Sequence, residues 1–187
     1  VAFRNITLYS GTVSGSAYTY AKCVNVKNNC NNIEFTGCRL YNIYSFSSVV
    51  TAPTQFTCFY NSGFTMNNLR MVNNIIMGSA CGFYFLGNGS SNVRFDSNMV
   101  LYCDMYNVYV TNTSFSSFKG NIAEQRDASF LVPIAFIPYY FDNVNGDIIG
   151  NRAHAVNWKE GIHLSSLNNN FCFKVIENTE IYTGGQG

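Results

Sequence analysis

Two short phrases recur along this chain, and they recur in step. The first reads apolar, any residue, apolar, then about two residues on an Asn or another small residue. Its instances are Ile6-Thr7-Leu8…Gly11, Ile33-Glu34-Phe35…Cys38, Leu69-Arg70-Met71…Asn74, Val93-Arg94-Phe95…Asn98, Phe118…Asn121, Ile148…Asn151 and Phe173-Lys174-Val175…Asn178. With the second apolar residue as anchor, the positions are 8, 35, 71, 95, 118, 148 and 175, and the steps 27, 36, 24, 23, 30 and 27. The second phrase reads Val24-Asn25-Val26, Phe59-Tyr60, Phe83-Tyr84-Phe85, Val108-Tyr109-Val110, Tyr140-Phe141 and Ile162-His163-Leu164, and its central residues step by 35, 24, 25, 31 and 23. Four of these five steps lie within two residues of the matching anchor step. Phrases that lengthen and shorten together belong to one structural unit, with insertions between them in units two and five.

Strands of three to five residues, alternating with period two and repeated every 23 to 36 residues, fit a parallel β-solenoid. A leucine-rich repeat needs a Leu-x-x-Leu-x-Leu phrase and a helical half, and a propeller blade needs four strands in about 40 residues; the units hold neither. The expectation is an all-β, single-stranded parallel β-helix of about seven turns over residues 1–187, a rod of roughly 34 Å at about 4.8 Å per turn. Loop insertions are expected near 41–56 and 123–138. The aligned Asn74, Asn98, Asn121, Asn151 and Asn178 are expected to stack as a hydrogen-bonded ladder. Val1 and the closing Gly-Gly-Gln-Gly give the chain the look of a fragment of a longer protein.

Composition narrows the class further. Charged residues make up 11% of the chain, less than half the usual share, while aromatics reach 16% and Asn numbers 26. A 47% hydrophobic content is too apolar for disorder. A net charge of +1 lacks the basic excess of a nucleic-acid binder. The longest apolar stretch, Phe130 to Phe141, has 12 residues and two prolines, too short and broken for a membrane-spanning helix. Seven cysteines at irregular spacing, with no Cys-x-x-Cys and only two His, argue against a zinc site and read as buried thiols. No phosphate-binding loop, Gly-x-Ser-x-Gly or calcium repeat is present, so no metal or cofactor is expected.

The pattern resembles the right-handed parallel β-helix of pectate-lyase-like proteins. Its low charge, Asn and Ser richness and irregular repeat lengths look most like the central domain of a bacteriophage tailspike or tail fibre. The resemblance covers nearly the whole chain and is architectural. It implies a homotrimer on the virion, or an extracellular protein, that binds bacterial surface polysaccharide and often cleaves it. Right-handedness follows from the resemblance and agrees with the handedness of parallel crossovers.

Within each phrase the middle residue points outward. The first outward column is then Thr7, Glu34, Arg70, Arg94, Ser117, Asp147 and Lys174, with Glu34–Arg70 and Asp147–Lys174 placed to pair. It reads as a solvated face, a subunit contact or a contact for an anionic glycan. The second column is Asn25, Tyr60, Tyr84, Tyr109, Tyr140 and His163. A tyrosine offers a ring face to the C–H side of a sugar and a hydroxyl to its polar side, so this column is a candidate glycan platform. Cross-turn stacking and burial against another subunit are its alternatives.

Acids are few enough to weigh singly. Asp104 follows its anchor Phe95 by nine residues, and Asp127 follows Phe118 by nine, which would set them about 5 Å apart on neighbouring turns. Glu124 stands in the same insertion, and Glu160 comes one repeat later. A glycosidase needs two carboxyls, about 5 to 5.5 Å apart for retention or 6.5 to 9.5 Å for inversion. Asp104, Asp127, Glu124 and Glu160 are therefore the catalytic candidates, with scattered surface acids as the plain alternative. Arg126 and Lys159 would hold an acidic sugar, and Trp158 would stack on a ring. Three functions stay open: a receptor-binding domain, a secreted lyase or glycoside hydrolase, and a structural shaft.

Overall fold

The left-handed backbone conformation, which Gly, Asn and Asp tolerate best, marks the corners of each repeat. Asn5, Gly37, Asn73, Ser97, Gly120 and Gly150 occupy equivalent corners with φ between 53° and 64°. Asn32, Asn68 and Asn92 form a second such column, and Asn88, Asn112 and Asn143 a third. Much of the Asn excess thus sits where the chain must turn sharply between short strands.

The computed structural model describes residues 1–10, 21–42, 53–125, 137–156, 162–165, 173–176 and 179–183. Nineteen strands and no helix lie among them, and no helix is long and apolar enough to cross a membrane. Every strand pairing is parallel, and each strand pairs with its equivalent in a neighbouring repeat. The fold is all-β, built from stacked parallel sheets.

The repeats contribute strands to three faces. One carries the first phrase: Phe3, Phe35, Met71, Phe95, Phe118, Ile148 and Val175 stand in register. Another carries the second phrase: Val24, Phe59, Phe83, Val108, Tyr139 and Ile162 stand in register. The long strands Cys81–Asp96, Tyr106–Lys119 and Ile137–Ile149 run from the second face into the first. The third face is a separate seven-stranded sheet of Thr7–Tyr9, Arg39–Tyr41, Ile75–Met77, Met99–Cys103, Ile122–Gln125, Arg152–Val156 and Thr179–Thr183.

All three faces share one core. Phe35, Leu40, Phe59, Met71, Ile76, Phe83, Phe95, Val100, Val108, Phe118, Phe141 and Ile148 are buried in a single contiguous cluster. Each such side chain contributes about 1.5–3 kcal/mol by leaving water. Phe3 stacks on Phe35 at 4.7 Å between ring centroids, and Phe95 on Phe118 at 5.2 Å. Buried Tyr139 satisfies its hydroxyl by donating to the Arg152 carbonyl at 3.1 Å.

The expected asparagine ladder is present along its described length. Asn74, Asn98, Asn121 and Asn151 are all buried. The Asn74 backbone N–H and Nδ2 both donate to Asn98 Oδ1, at 3.0 and 2.9 Å. Asn98 does the same to Asn121 at 2.9 and 3.2 Å, and Asn121 to Asn151 at 2.9 and 2.8 Å. Asn178 lies outside the described residues.

Three sequence expectations change. The first anchor is Phe3 instead of Leu8, because Ala2–Arg4 pairs with Glu34–Thr36 while Thr7–Tyr9 pairs with Arg39–Tyr41. Ala2, rather than Thr7, therefore heads the first outward column. The insertions are also narrower than expected: Tyr41 and Phe56 are strand residues, as are Ala123 to Gln125 and Ile137 to Pro138. Finally, a unit contributes a third strand beyond the two phrases, the one in the seven-stranded sheet. Its period-two signal is erased where the outward residues are apolar too, as in Ile75-Ile76-Met77.

Candidate ligand-binding faces

On the second-phrase face, the expected outward column forms with every member in register: Asn25, Tyr60, Tyr84, Tyr109, Tyr140 and His163. Strand spacing of about 4.8 Å matches ring stacking distance, and the side chains use it. Centroid separations are 5.4 Å for Tyr60–Tyr84, 4.8 Å for Tyr84–Tyr109, 4.4 Å for Tyr109–Tyr140 and 4.7 Å for Tyr140–His163. The planes lie within 17° of parallel. Lys22 Nζ caps the Tyr60 end, 3.4 Å above the ring centroid, a cation–π contact. Tyr106 packs edge-on against Tyr109 and Tyr140.

Stacking sets the chemistry of this face. The ring faces are occupied by neighbouring rings, so the column offers outward ring edges and hydroxyl groups. Burial raises the Tyr84 hydroxyl to a pKa of about 12 and pushes Tyr109 and Tyr106 upward as well. The hydroxyls therefore stay protonated and can both donate and accept.

On the first-phrase face, Glu34, Arg70, Arg94 and Ser117 stand in register as expected. The pairing of Glu34 differs from expectation. Its carboxylate takes Arg4 Nε and Nη2 at 3.2 and 3.4 Å and the Thr36 hydroxyl at 2.9 Å. These hydrogen bonds, Arg4 first, hold its pKa below the ordinary carboxylate value. Arg70 acts on it only as a nearby charge. Asp147 and Lys174 are opposite one another in strand register.

A second outward row on this face brings Asp96 beside Arg94. Asp96 is buried and accepts from Arg94 Nε, from Ser117 Oγ at 2.8 Å and from the Lys119 backbone N–H at 3.1 Å. Sequence reading missed it, although the Arg94-x-Asp96 spacing puts both residues on one side of the strand. Along the edge of the face, exposed Asn68 donates to Asn32 at 2.8 Å and Asn92 to Asn68 at 2.6 Å. These elements line an open groove of about 750 Å³.

Of the four acids proposed for catalysis, two are described. Asp104 is 3% exposed, and its backbone N–H donates to the Ser79 carbonyl at 2.9 Å. Glu124 is half-buried on the seven-stranded sheet, between Leu101 and His154 in register. The register slips by one residue just before Asp104. Leu101 pairs with Glu124, yet Cys103 pairs with Gln125, so equal counts from the two anchors no longer match there. Asp127 and Glu160 lie outside the described residues, as do Arg126, Trp158 and Lys159.

The described cysteines are all free. Cys58, Cys81 and Cys103 are fully buried, and burial pushes each thiol pKa upward. Cys23 stands opposite Cys58, since its neighbours Lys22 and Val24 pair with Thr57 and Phe59. A hydrogen bond with Cys58 lowers the Cys23 pKa.

The comparisons with known proteins add no relative: no family model, no curated protein and no solved structure matches this chain.

Proposed function

We propose that this chain is a module of a right-handed parallel β-helix of about seven turns, from a bacteriophage tailspike- or tail-fibre-like protein that recognises bacterial surface polysaccharide. One observation carries the reading. Side chains of like chemistry recur in register at strand spacing along two outward faces, as tyrosines on one and as arginines and asparagines on the other. Such columns present the same hydrogen-bonding groups again and again along one direction, which is what a linear glycan of repeating sugars can use. The tyrosine hydroxyls and the exposed asparagine amides suit hydroxyl-rich ligands. Placement on a virion or outside the cell, and assembly as a homotrimer, belong to this reading. The apolar outward residues Ile75, Met77, Met99, Leu101 and Ile122 of the seven-stranded sheet support association with other subunits.

Cleavage is part of the proposal only through Asp104 and Glu124 with Asp127 and Glu160. A panel of purified bacterial surface polysaccharides, assayed for binding and for release of reducing ends, tests both halves. Binding without release would leave a receptor-binding module. Release that survives Asp104→Asn and Asp127→Asn would remove those two carboxyls from the site.

A second reading, a structural shaft, is favoured by the tyrosine stack itself. Rings that satisfy one another stiffen a rod whether or not a ligand is present. Failure of every polysaccharide in the panel to bind would favour the shaft.

A further inference from the structure

Arg70 and Arg94 are opposite one another on adjacent parallel strands. Like charges in direct register repel and weaken a sheet, so the arrangement calls for an explanation. Glu34 does not provide one, since it is bonded to Arg4 and Thr36. Asp96 meets only the Nε of Arg94, leaving both terminal nitrogens of that guanidinium without a bond among the described residues. Lys119 adds a third cation to the same groove. The groove thus carries three cationic side chains, Arg70, Arg94 and Lys119, against two carboxylates, Glu34 already bonded to Arg4 and Asp96 holding the Nε of Arg94. A cluster of excess positive charge whose central member is held in place by a buried acid is a preorganised anion site.

We infer that this groove binds the carboxylates of an acidic polysaccharide, with Arg70, Arg94 and Lys119 as the anion-binding groups and Asp96 as the positioning residue for Arg94. The inference rests on the polysaccharide reading above and narrows it to uronic or other carboxylate-bearing sugars. The groove walls favour sugar over nucleic acid. Among the described residues no aromatic ring lines the groove for base stacking, the chain's net charge is only +1, and the Asn68 and Asn92 amides retain N–H groups for sugar hydroxyls. Arg70 and Arg94 on strands about 5 Å apart put two guanidinium groups on one side of the sheet, where they can hold one carboxylate together or two on successive contacts.

A matched pair of ligands tests this: a β-1,4-linked oligoglucuronate and the neutral cello-oligosaccharide of equal length, which differ only in the carboxylate. Titration calorimetry should show the acid binding at least about tenfold more tightly, the scale of one charge-assisted bond. Arg70→Gln and Lys119→Gln, both at exposed positions and each checked by melting for an intact fold, should each erase most of that preference. Asp96→Asn should weaken that preference, and Asp96→Glu, which keeps the carboxylate, should restore part of it. Equal affinity for the two oligosaccharides would overturn the inference, as would a preference that persists in Arg70→Gln. Single-stranded DNA binding as tightly as the oligoglucuronate would reduce the groove to a general polyanion surface and also overturn it. Strong binding of neutral polysaccharides alone would sink this inference and keep the polysaccharide reading. Binding of no glycan at all would sink both.

Discussion

The rings of Tyr109 and Tyr140 lie 4.4 Å apart between centroids and 2° from parallel, the closest and flattest ring pair in a column that runs from Lys22 to His163. Tyr109 touches three other tyrosines, stacking on Tyr84 and Tyr140 and meeting Tyr106 edge-on. Each such pair is worth about 0.5–1.5 kcal/mol beyond the area it buries. Tyr109→Ala should therefore lower unfolding stability by about 3 kcal/mol in urea titration, whereas Tyr109→Phe, which keeps the ring, should stay within about 1 kcal/mol.

The same column sets an alkaline limit. Tyr84 titrates near 10 when unfolded and at about 12 in the fold, through burial first and neighbouring thiol and phenol charges second. A folded pKa above the unfolded one means that the stabilisation is complete below pH 10 and is lost as pH rises through about 12. Stability measured against pH should hold through neutrality and fall across that window. Ionisation of Tyr84, followed by its ring NMR signals, should rise together with unfolding, not ahead of it.

Asn98 gives the sharpest test of the ladder. Its Oδ1 receives two bonds from Asn74, while its Nδ2 donates to Asn121 and to the Met71 carbonyl at 2.9 Å. Asn98→Ala should cost about 3 kcal/mol, since each orphaned buried group costs about 1–3 kcal/mol. Asn98→Asp should cost more at neutral pH, because an oxygen then faces two acceptors, and should recover in part in acid when that oxygen carries a proton. Thermal melts at two pH values separate the outcomes.

Gly82 is needed for space. A Cβ there would clash with Val100 Cγ1 and lie 2.8 Å from the Asn107 carbonyl. Gly82→Ala should destabilise by about 1–3 kcal/mol through overpacking. Gly89, at φ +81 with nothing nearby, should lose only about 1–2 kcal/mol to backbone strain on the same change. Equal losses at both sites would contradict the packing account.

Thiol alkylation followed by mass spectrometry should find Cys23 modified ahead of Cys30 in the native protein. The Cys23 pKa is lowered while that of Cys30 is raised, and the thiolate is the reactive form. Cys58, Cys81 and Cys103, buried and shifted upward, should react only on unfolding.

The tyrosine register was readable in the sequence because Tyr84, Tyr109 and Tyr140 are each bracketed by inward apolar or aromatic residues, giving a clean alternation that locates the strand. The Asn74 to Asn151 ladder was readable for a related reason: only one residue type fits a buried corner that must bond the next repeat. The seven-stranded sheet was not, since Ile75, Met77, Met99 and Leu101 place apolar residues outward as well as inward. Asp96 was hidden differently. Its partners Ser117 and Lys119 are 21 and 23 residues away in sequence, and no local pattern links them. Catalytic acids placed by counting from an anchor depend on a fixed register, and the slip between Leu101 and Cys103 shows how soon such counting drifts at a corner.

Bonds to the ladder's amide oxygens all point one way, from each repeat's donors to the next repeat's Oδ1, while each Nδ2 also donates back to a carbonyl of the repeat before. At Cys38 the pattern changes: its backbone N–H still donates to Asn74 Oδ1 at 2.9 Å, but its thiol takes the place of Nδ2 and donates to the Phe3 carbonyl at 3.2 Å. Cys38 thus supplies both donors yet offers no amide oxygen to the repeat before it, where Ile6 holds the equivalent position. The ladder consequently has polarity, like a polymer with unlike ends. Duplicating a unit in its interior preserves every bond provided the copy brings its own Asn, whereas a unit joined before Cys38 gains nothing from carrying one. Duplication of an interior repeat therefore keeps the ladder continuous, whereas a repeat inserted just before Cys38 leaves it broken there.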